Sequence, residues 1–357
     1  MNLNGFMERG ISGVMQTAAR FYFGSDKGRG FVARILPEIH KSAKLRKKHE
    51  QAGTHVPPFL IASIASQCNL RCTGCYARAG SGCGNIEAAD DLSASEWEAV
   101  FSEAAGLGVS FILLAGGEPL TRPDVVQAAS GFPNIIFPIF TNGTMIDEEY
   151  LNLFDLHRNL IPVISVEGGA DATDHRRGGG VYAQAGAAMA RLKEKNILFG
   201  LSVTVTRENV PVVTSGTFLS EQRDQGCGLV FFVEYVPVTE DTKELVLRSH
   251  DICMLEENVA ALKKRYSDMI IISFPGDEEA MGGCLASGRG FFHINSQGGA
   301  EPCPFSPFSK HNIKTDSIAG VLRSAFFREL REIAANAEPH KGGCILFDRK
   351  EQVQSLL

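Results

Sequence analysis

Apolar residues recur at helical spacing through the first 55 residues, with Ile11, Val14, Met15 and Ala18 on one face and Phe31, Val32, Ile35, Leu36 and Ile39 on another. This predicts two amphipathic helices, separated by "GSDKGRG" (Gly24 to Gly30) and ended by "HVPP" (His55 to Pro58). Short β-rich runs then alternate with helical segments. The predicted strands are "FLIASIA" from Phe59, "SFILLA" from Ser110, "NIIFPIF" from Asn134, "LIPVISV" from Leu160, "FGLSVTV" from Phe199 and "LVFFVEYV" from Leu229. Between the first two, Ser93 to Glu96 has capping-box spacing, followed by Trp97, Val100, Phe101 and Ala104 on one face and a Gly106-Leu107-Gly108 stop. Strands alternating with helices predict a parallel sheet, either an open doubly wound sheet or a barrel. Beyond about residue 240 the alternation fades.

A chain of 357 residues with 44% hydrophobic residues can bury one large core, or one core plus an appendage. Residues 1–50 hold ten Lys or Arg against four Asp or Glu, a balance of +6, which leaves -12 for the rest of a chain whose net charge is -6. Such a basic front end suits either a solvated helical face or contact with an acidic partner or an anionic membrane. No apolar h-region follows the early charges and no run has the length of a membrane span, so a cytoplasmic location is expected. In that reducing compartment the nine cysteines are expected as thiols, with metal binding or catalysis the role of the clustered ones.

In α/β folds of this kind chemistry gathers at the carboxyl ends of the strands. Strand one leads into Cys68, Cys72 and Cys75, strand two into "GGEP" (Gly116 to Pro119), strand three into "TNGT" (Thr141 to Thr144), and strand four into "EGG" and "DHRRGGG" (Asp174 to Gly180). Three cysteines at C-x3-C-x2-C do not close a tetrahedral zinc site without a recruited fourth ligand. An iron–sulfur cube suits them better, with one thiolate on each of three irons and the fourth iron open.

"CNLRCTGC" after the first strand, "GGEP" after the second, "TNG" after the third and Ser-x-Glu-Gly after the fourth together resemble the radical S-adenosylmethionine (SAM) superfamily across residues 59–240. The resemblance implies a 4Fe-4S cluster on Cys68, Cys72 and Cys75 whose open iron chelates SAM. Reductive cleavage then yields a 5'-deoxyadenosyl radical that abstracts hydrogen from a substrate. It further implies SAM contacts from Gly116, Gly117, Glu118, Asn142, Ser165, Glu167 and Arg177, with Arg176 as the adjacent alternative and Asn142 also suited to a simple turn. Many relatives carry an aromatic residue before the third cysteine, near the adenine; here Gly74 holds that position, and Tyr76 is the substitute proposed for the contact.

A second group has the spacing C-x13-G-x4-C from Cys284 through Gly298 to Cys303, with Cys344 farther on. This is similar to the hairpin of SPASM and twitch extensions, which hold auxiliary 4Fe-4S clusters. The resemblance implies one auxiliary cluster on Cys284, Cys303 and Cys344, its fourth position taken by another residue or by substrate. Zinc with His293, His311 or His340 is the alternative. Cys83 is placed in a loop able to face the site, and Cys227 and Cys253 are expected as buried small hydrophobes.

The expected architecture is therefore α/β: a helical basic extension (1–57), a partial (β/α)6 TIM-like barrel (58–240) and a SPASM/twitch-like auxiliary cluster region (241–357). The expected function is radical SAM chemistry on an unidentified substrate, first of all a peptide, with an electron donor such as a flavodoxin or ferredoxin and no nucleic acid. A lipid or membrane-bound substrate, met through residues 1–50, and a non-enzymatic zinc or iron–sulfur module are the alternatives.

Overall fold

A computed structural model describes the chain except residues 1–10, 14, 19–20, 24–25, 80–82, 84–89, 239, 280–281 and 336–343. Val14 and His340 therefore lie outside the described residues. After helical residues 11–13 and 15–18, the element order is α1 (Asp26–Gln51), β1 (Phe59–Ala65), α2 (Ala94–Leu107), β2 (Phe111–Gly116), α3 (Pro123–Ser130), β3 (Phe137–Thr141), α4 (Glu148–Leu156) and β4 (Leu160–Val166). The chain continues through α5 (Ala170–Arg177), α6 (Val181–Glu194), β5 (Gly200–Val205), α7 (Gly216–Asp224), β6 (Leu229–Glu234), α8 (Ser249–Arg265) and β7 (Ile270–Phe274). Three short strands follow, β8 (His293–Ile294), β9 (Gly299–Glu301) and β10 (His311–Asn312).

All six predicted strands are present. The capping box on α2 forms as the spacing requires, with Ser93 and Glu96 capping each other and Gly108 closing the helix at φ 93°. One sheet runs in the order β10-β9-β8-β1-β2-β3-β4-β5-β6-β7. It is parallel from β8 to β7, and antiparallel where β9 pairs with β8 and β10 with β9.

Two expectations need correction. The barrel does not stop at residue 240, because α8 follows and β7 pairs in parallel with β6, Leu229 opposite Ile270. Ile270, Ile271 and Ile272 carry the β-branched signal for this seventh strand, but the charged segment around Lys263 to Asp268 obscures the alternation. The C-terminal region also joins the sheet at its other side, with His293 and Ile294 of β8 opposite Ile61 and Ala62 of β1. Secondly, the part of "GSDKGRG" from Asp26 to Gly30 is helical rather than a linker, because α1 starts at Asp26 and runs through Gly28 and Gly30, while Gly24 and Ser25 lie outside the described residues. Each glycine costs about 1 kcal/mol in a helix interior, and burial of Phe31, Val32, Ile35 and Ile39 along one face of α1 offsets that cost.

The core has two layers. Leu60, Ala62 and Ile64 of β1 point outward and pack on Trp97, Phe101 and Ala104 of α2, and the other strands repeat this pattern with their own helices. The second cluster joins Ile11, Met15, Tyr22, Phe31, Ile35 and Ile39 to Phe111, Ile136, Ile161, Leu198, Leu229 and Ile270. These last six residues lie at the amino-terminal ends of consecutive strands, so the sheet curls around the helical extension, which plugs one end of the barrel. Arg46 fastens α1 to the end of α2 by donating to the Gly108 carbonyl and, at 2.7 Å, to Ser110 Oγ. The apolar faces expected to meet a membrane are thus committed to the barrel. No described helix is long and apolar enough to cross a membrane.

Candidate active site

With one end plugged, the loops at the carboxyl ends of β1 to β4 build the other. Gly116 has φ 116°, and a Cβ there would stand 2.5 Å from the Ala65 carbonyl oxygen. A Cβ at Gly117 would stand 2.2 Å from the Gln67 carbonyl oxygen. Only glycine permits this approach, and it lets Gly117 N–H donate to Ala65 O at 2.7 Å and Glu118 N–H to Gln67 O at 2.8 Å. The β2 loop is thereby stitched to the chain entering the cysteine loop.

Glu118, 1% exposed, accepts from Leu120 N–H at 3.1 Å and from Asn142 N–H at 2.8 Å, so it locks the β2 loop to the β3 loop. Burial raises its pKa, and the backbone donors oppose that rise. Asn142 holds the turn, accepting from Thr144 N–H at 2.9 Å, and also donates to Asn69 Oδ1 at 2.8 Å, inside the cysteine loop. Its side chain is occupied in bracing the loops.

Cys68, Cys72 and Cys75 follow β1 as partly exposed free thiols. Burial raises the Cys72 thiol, Arg177 and Arg176 oppose the rise, and Cys75 and Cys68 add to it. Cys83, 1% exposed, shares a hydrogen bond with Cys68 and lies 3.0 Å from where a Gly117 Cβ would stand, so it belongs to this site.

Glu167 organises the positive side. Arg176 Nη1 and Arg177 Nη2 both donate to its Oε1 at 2.5 Å, while Thr204 N–H donates to Oε2 at 3.1 Å. Arg176 also donates to Thr204 Oγ1 at 3.1 Å, and its carbonyl accepts from Thr73 N–H at 2.9 Å, which ties α5 to the cysteine loop. Burial works against the Arg176 charge, but Glu167 prevails and its pKa is raised. Ser165, on β4 opposite Ser202 of β5, is half-buried, two residues before Glu167.

The buried atoms without partners indicate what fits. Among the described residues these include Nε of Arg176 and of Arg177 and the hydroxyl of Tyr235, three donors around one loop. The Tyr235 oxygen would lie 2.3 Å from a Cβ on Gly74, which has φ 64°. An aromatic ring from the end of β6 thus fills the space at the position where the sequence departs from the common pattern. Unmade buried hydrogen bonds are costly, and unsatisfied donors beside three thiols suit an acceptor-rich group such as sulfide or carboxylate. Among the described residues no three His, Cys, Asp or Glu side chains are already closed into a metal-holding arrangement. The fit of an iron–sulfur group with SAM rests on the soft thiol set and these waiting donors.

Tyr235, not Tyr76, occupies the space beside the Gly74 Cα. The Tyr76 ring packs edge-on against Phe305, centroids 5.1 Å apart. Burial raises its pKa, with the charges of Cys75 and Cys303 adding to the rise, so it lies between the two cysteine groups.

The three cysteines of the second group lie near one another. Gly298 turns the β8–β9 hairpin at φ 90°, and Cys303 hydrogen-bonds Cys344 with Cys284 close enough to act on both. Burial raises the Cys284 and Cys303 thiols well above their ordinary value. Two further unpartnered buried atoms, the hydroxyls of Ser287 and Ser306, lie here.

Of the candidate histidines, His340 lies outside the described residues, and the other two have partners of their own. His293 has both ring nitrogens engaged, with Ser63 Oγ at 2.7 Å and Glu301 Oε2 at 2.7 Å. His311 faces Asp316 at 3.6 Å. Cys227 is buried as expected, its thiol pushed up to about 12 by that burial, whereas Cys253 is exposed on α8. The sequence reading gave Tyr235 and Thr204 no role and left Cys83 undecided. Neither Tyr235 nor Thr204 carries a signal in sequence alone.

Residues 63–210, less than half of the chain, match the profile of the radical SAM superfamily. An AdoMet-dependent heme synthase from Methanosarcina barkeri is 25% identical over 326 residues, covering 84% of this chain and 91% of that protein. A PqqA peptide cyclase from Rhizobium meliloti is 26% identical over 318 residues, covering 81% and 82%. The crystal structure of Streptococcus suis SuiB bound to S-adenosylmethionine shares the fold at TM-score 0.68 and 17% identity, over 90% of this chain and 79% of that one.

Proposed function

We propose that this chain, whose residues 63–210 match the radical SAM superfamily, is an enzyme that binds a 4Fe-4S cluster and SAM at the open end of its barrel and takes hydrogen from a peptide. The observation that carries the reading is the set of unpartnered donors, Arg176 Nε, Arg177 Nε and the Tyr235 hydroxyl, around the Cys68–Cys75 loop. A reduced cluster with SAM at that place would supply a 5'-deoxyadenosyl radical as hydrogen acceptor.

The chain's own residues do the rest. Cys68, Cys72 and Cys75 hold the cluster, while Gly116 and Gly117 bring backbone close to it. Glu118 and Asn142 keep the surrounding loops in register. Glu167 presents two guanidiniums, whose fork suits the SAM carboxylate, and Ser165 lies beside them on the inner wall. Cys284, Cys303 and Cys344 would hold an auxiliary cluster, which would supply an electron acceptor or a substrate anchor, with Tyr76 packed on Phe305 beside them.

A peptide substrate is supported by relatives named for peptide cyclisation over most of both chains. The heme synthase relative favours a second reading, a tetrapyrrole. Reconstituted protein given SAM and dithionite should form 5'-deoxyadenosine, and none formed with clusters verified would sink the enzyme reading. Added peptide, and not an iron porphyrin, should accelerate it.

A small flavodoxin or ferredoxin is the proposed electron donor, and the cytoplasm the proposed location, in keeping with nine free cysteines. Membrane contact would fall to the exposed face of α1, which carries Arg34, Lys41, Lys44, Lys47 and Lys48. Its apolar face is occupied, so binding to anionic vesicles should vanish at high salt. Co-sedimentation that survives high salt would contradict this.

A further inference from the structure

The C-terminal centre presents three thiols, whereas a four-iron cluster offers four positions. Cys303 and Ser306 form an isolated antiparallel bridge, and Ser306 N–H donates to Cys303 O at 2.9 Å. Residues directly opposite in such a pair point to the same face with Cβ atoms about 5 Å apart. The Ser306 side chain is therefore carried alongside the Cys303 thiol, which itself touches Cys344. Ser306 is 0% exposed and its hydroxyl has no hydrogen-bond partner. A buried hydroxyl left unpaired costs about 1–3 kcal/mol, and nothing in the turn recovers it.

We propose that Ser306 supplies the fourth ligand of the centre held by Cys284, Cys303 and Cys344, its oxygen bound to the iron that no cysteine reaches. As that bond forms during assembly, the hydroxyl proton is released to solvent and no electron moves. This rests on the reading of the C-terminal cysteines as an iron–sulfur site. Ser287 is a second unpartnered serine hydroxyl among the described residues, three residues after Cys284, but its N–H pairs with Pro302 O, so it is not opposite a ligand.

The test uses the full chain with Cys68, Cys72 and Cys75 replaced by alanine, so that only the second centre assembles. Iron and zinc analysis, Mössbauer spectra and electron paramagnetic resonance after brief ferricyanide treatment are compared for this parent and for its S306A, S306C and S287A derivatives. S306A should convert to a three-iron cluster several-fold more readily than the parent, because an iron without a protein ligand is lost first. S306C should suppress that conversion and S287A should match the parent, with circular dichroism confirming each fold. S306A spectra identical to the parent, or conversion promoted by S287A alone, would overturn the Ser306 assignment while leaving the cluster reading intact. Zinc in place of iron in the parent would overturn both.

Discussion

Replacing Cys72 with alanine should abolish 5'-deoxyadenosine formation and remove one cluster's share of iron, while the fold survives. The thiol is partly exposed, so deleting it opens no cavity in the core. Its environment explains the severity of the chemical effect. Burial and the neighbouring Cys75 and Cys68 disfavour three adjacent thiolates, and Arg177 and Arg176 offset only part of this. Iron is what stabilises all three together, and two thiolates leave a second iron without its ligand. Cys253→Ala is the matched control, since that cysteine is exposed on α8 and far along the chain from either group. It should leave iron content and product unchanged. Product formation by the Cys72 variant at the parental rate would remove the cysteine loop from the chemistry altogether.

Much of this arrangement was legible because local chemistry and tertiary placement agree. The strands β1 and β4 fall where their apolar runs do, and the α2 cap follows from Ser93, Glu96 and Gly108. The order of the cysteine loop, the paired glycines and the two arginines follows from strand alternation, which puts every βα loop at one end. What escaped depends on distance in the chain. Tyr235 meets Gly74 across 161 residues by subtraction of their numbers, and no spacing rule connects them. Tyr76 reads in sequence as an adenine contact, but its packing on Phe305, which places it between the two cysteine groups, has no signal in the spacing. The seventh strand escaped for a different reason, since three isoleucines make a weak signal beside a charged helix end. His293 reads as a ligand in sequence, but Ser63 and Glu301 consume both of its nitrogens.

The two cysteine groups are also mechanically linked. β8 extends the sheet at β1, the strand that delivers the first cysteines, and β9 leads from its end at Glu301 to Cys303. The Ser63–His293–Glu301 chain of hydrogen bonds crosses that junction, and Asn295 donates to the same carboxylate at 2.6 Å. A displacement of the C-terminal hairpin is therefore transmitted to the wall of the barrel.

Removing the Glu167 carboxylate should be the most damaging single change outside the cysteines, for both stability and SAM binding. Glu167 is 2% exposed, and the Arg176 and Arg177 side chains are 15% and 10% exposed. Breaking a buried ion pair by deleting one partner costs about 3–5 kcal/mol, because the remaining charge stays desolvated. Here two guanidiniums lose the same oxygen. Glu167→Ala should therefore lower the unfolding free energy of the metal-free protein by about that amount, measured by urea denaturation. Glu167→Gln can still accept from Thr204 N–H, but it offers no charge to either arginine, so it should recover only a small part of the loss. Both variants should weaken SAM binding, since the fork that meets a carboxylate is no longer held in place. Added SAM should stabilise Glu167→Ala, because its carboxylate restores an anion to the two arginines. A loss below about 1 kcal/mol, within the range of an exposed pair, would show that the arginines find other acceptors and that Glu167 is not what positions them.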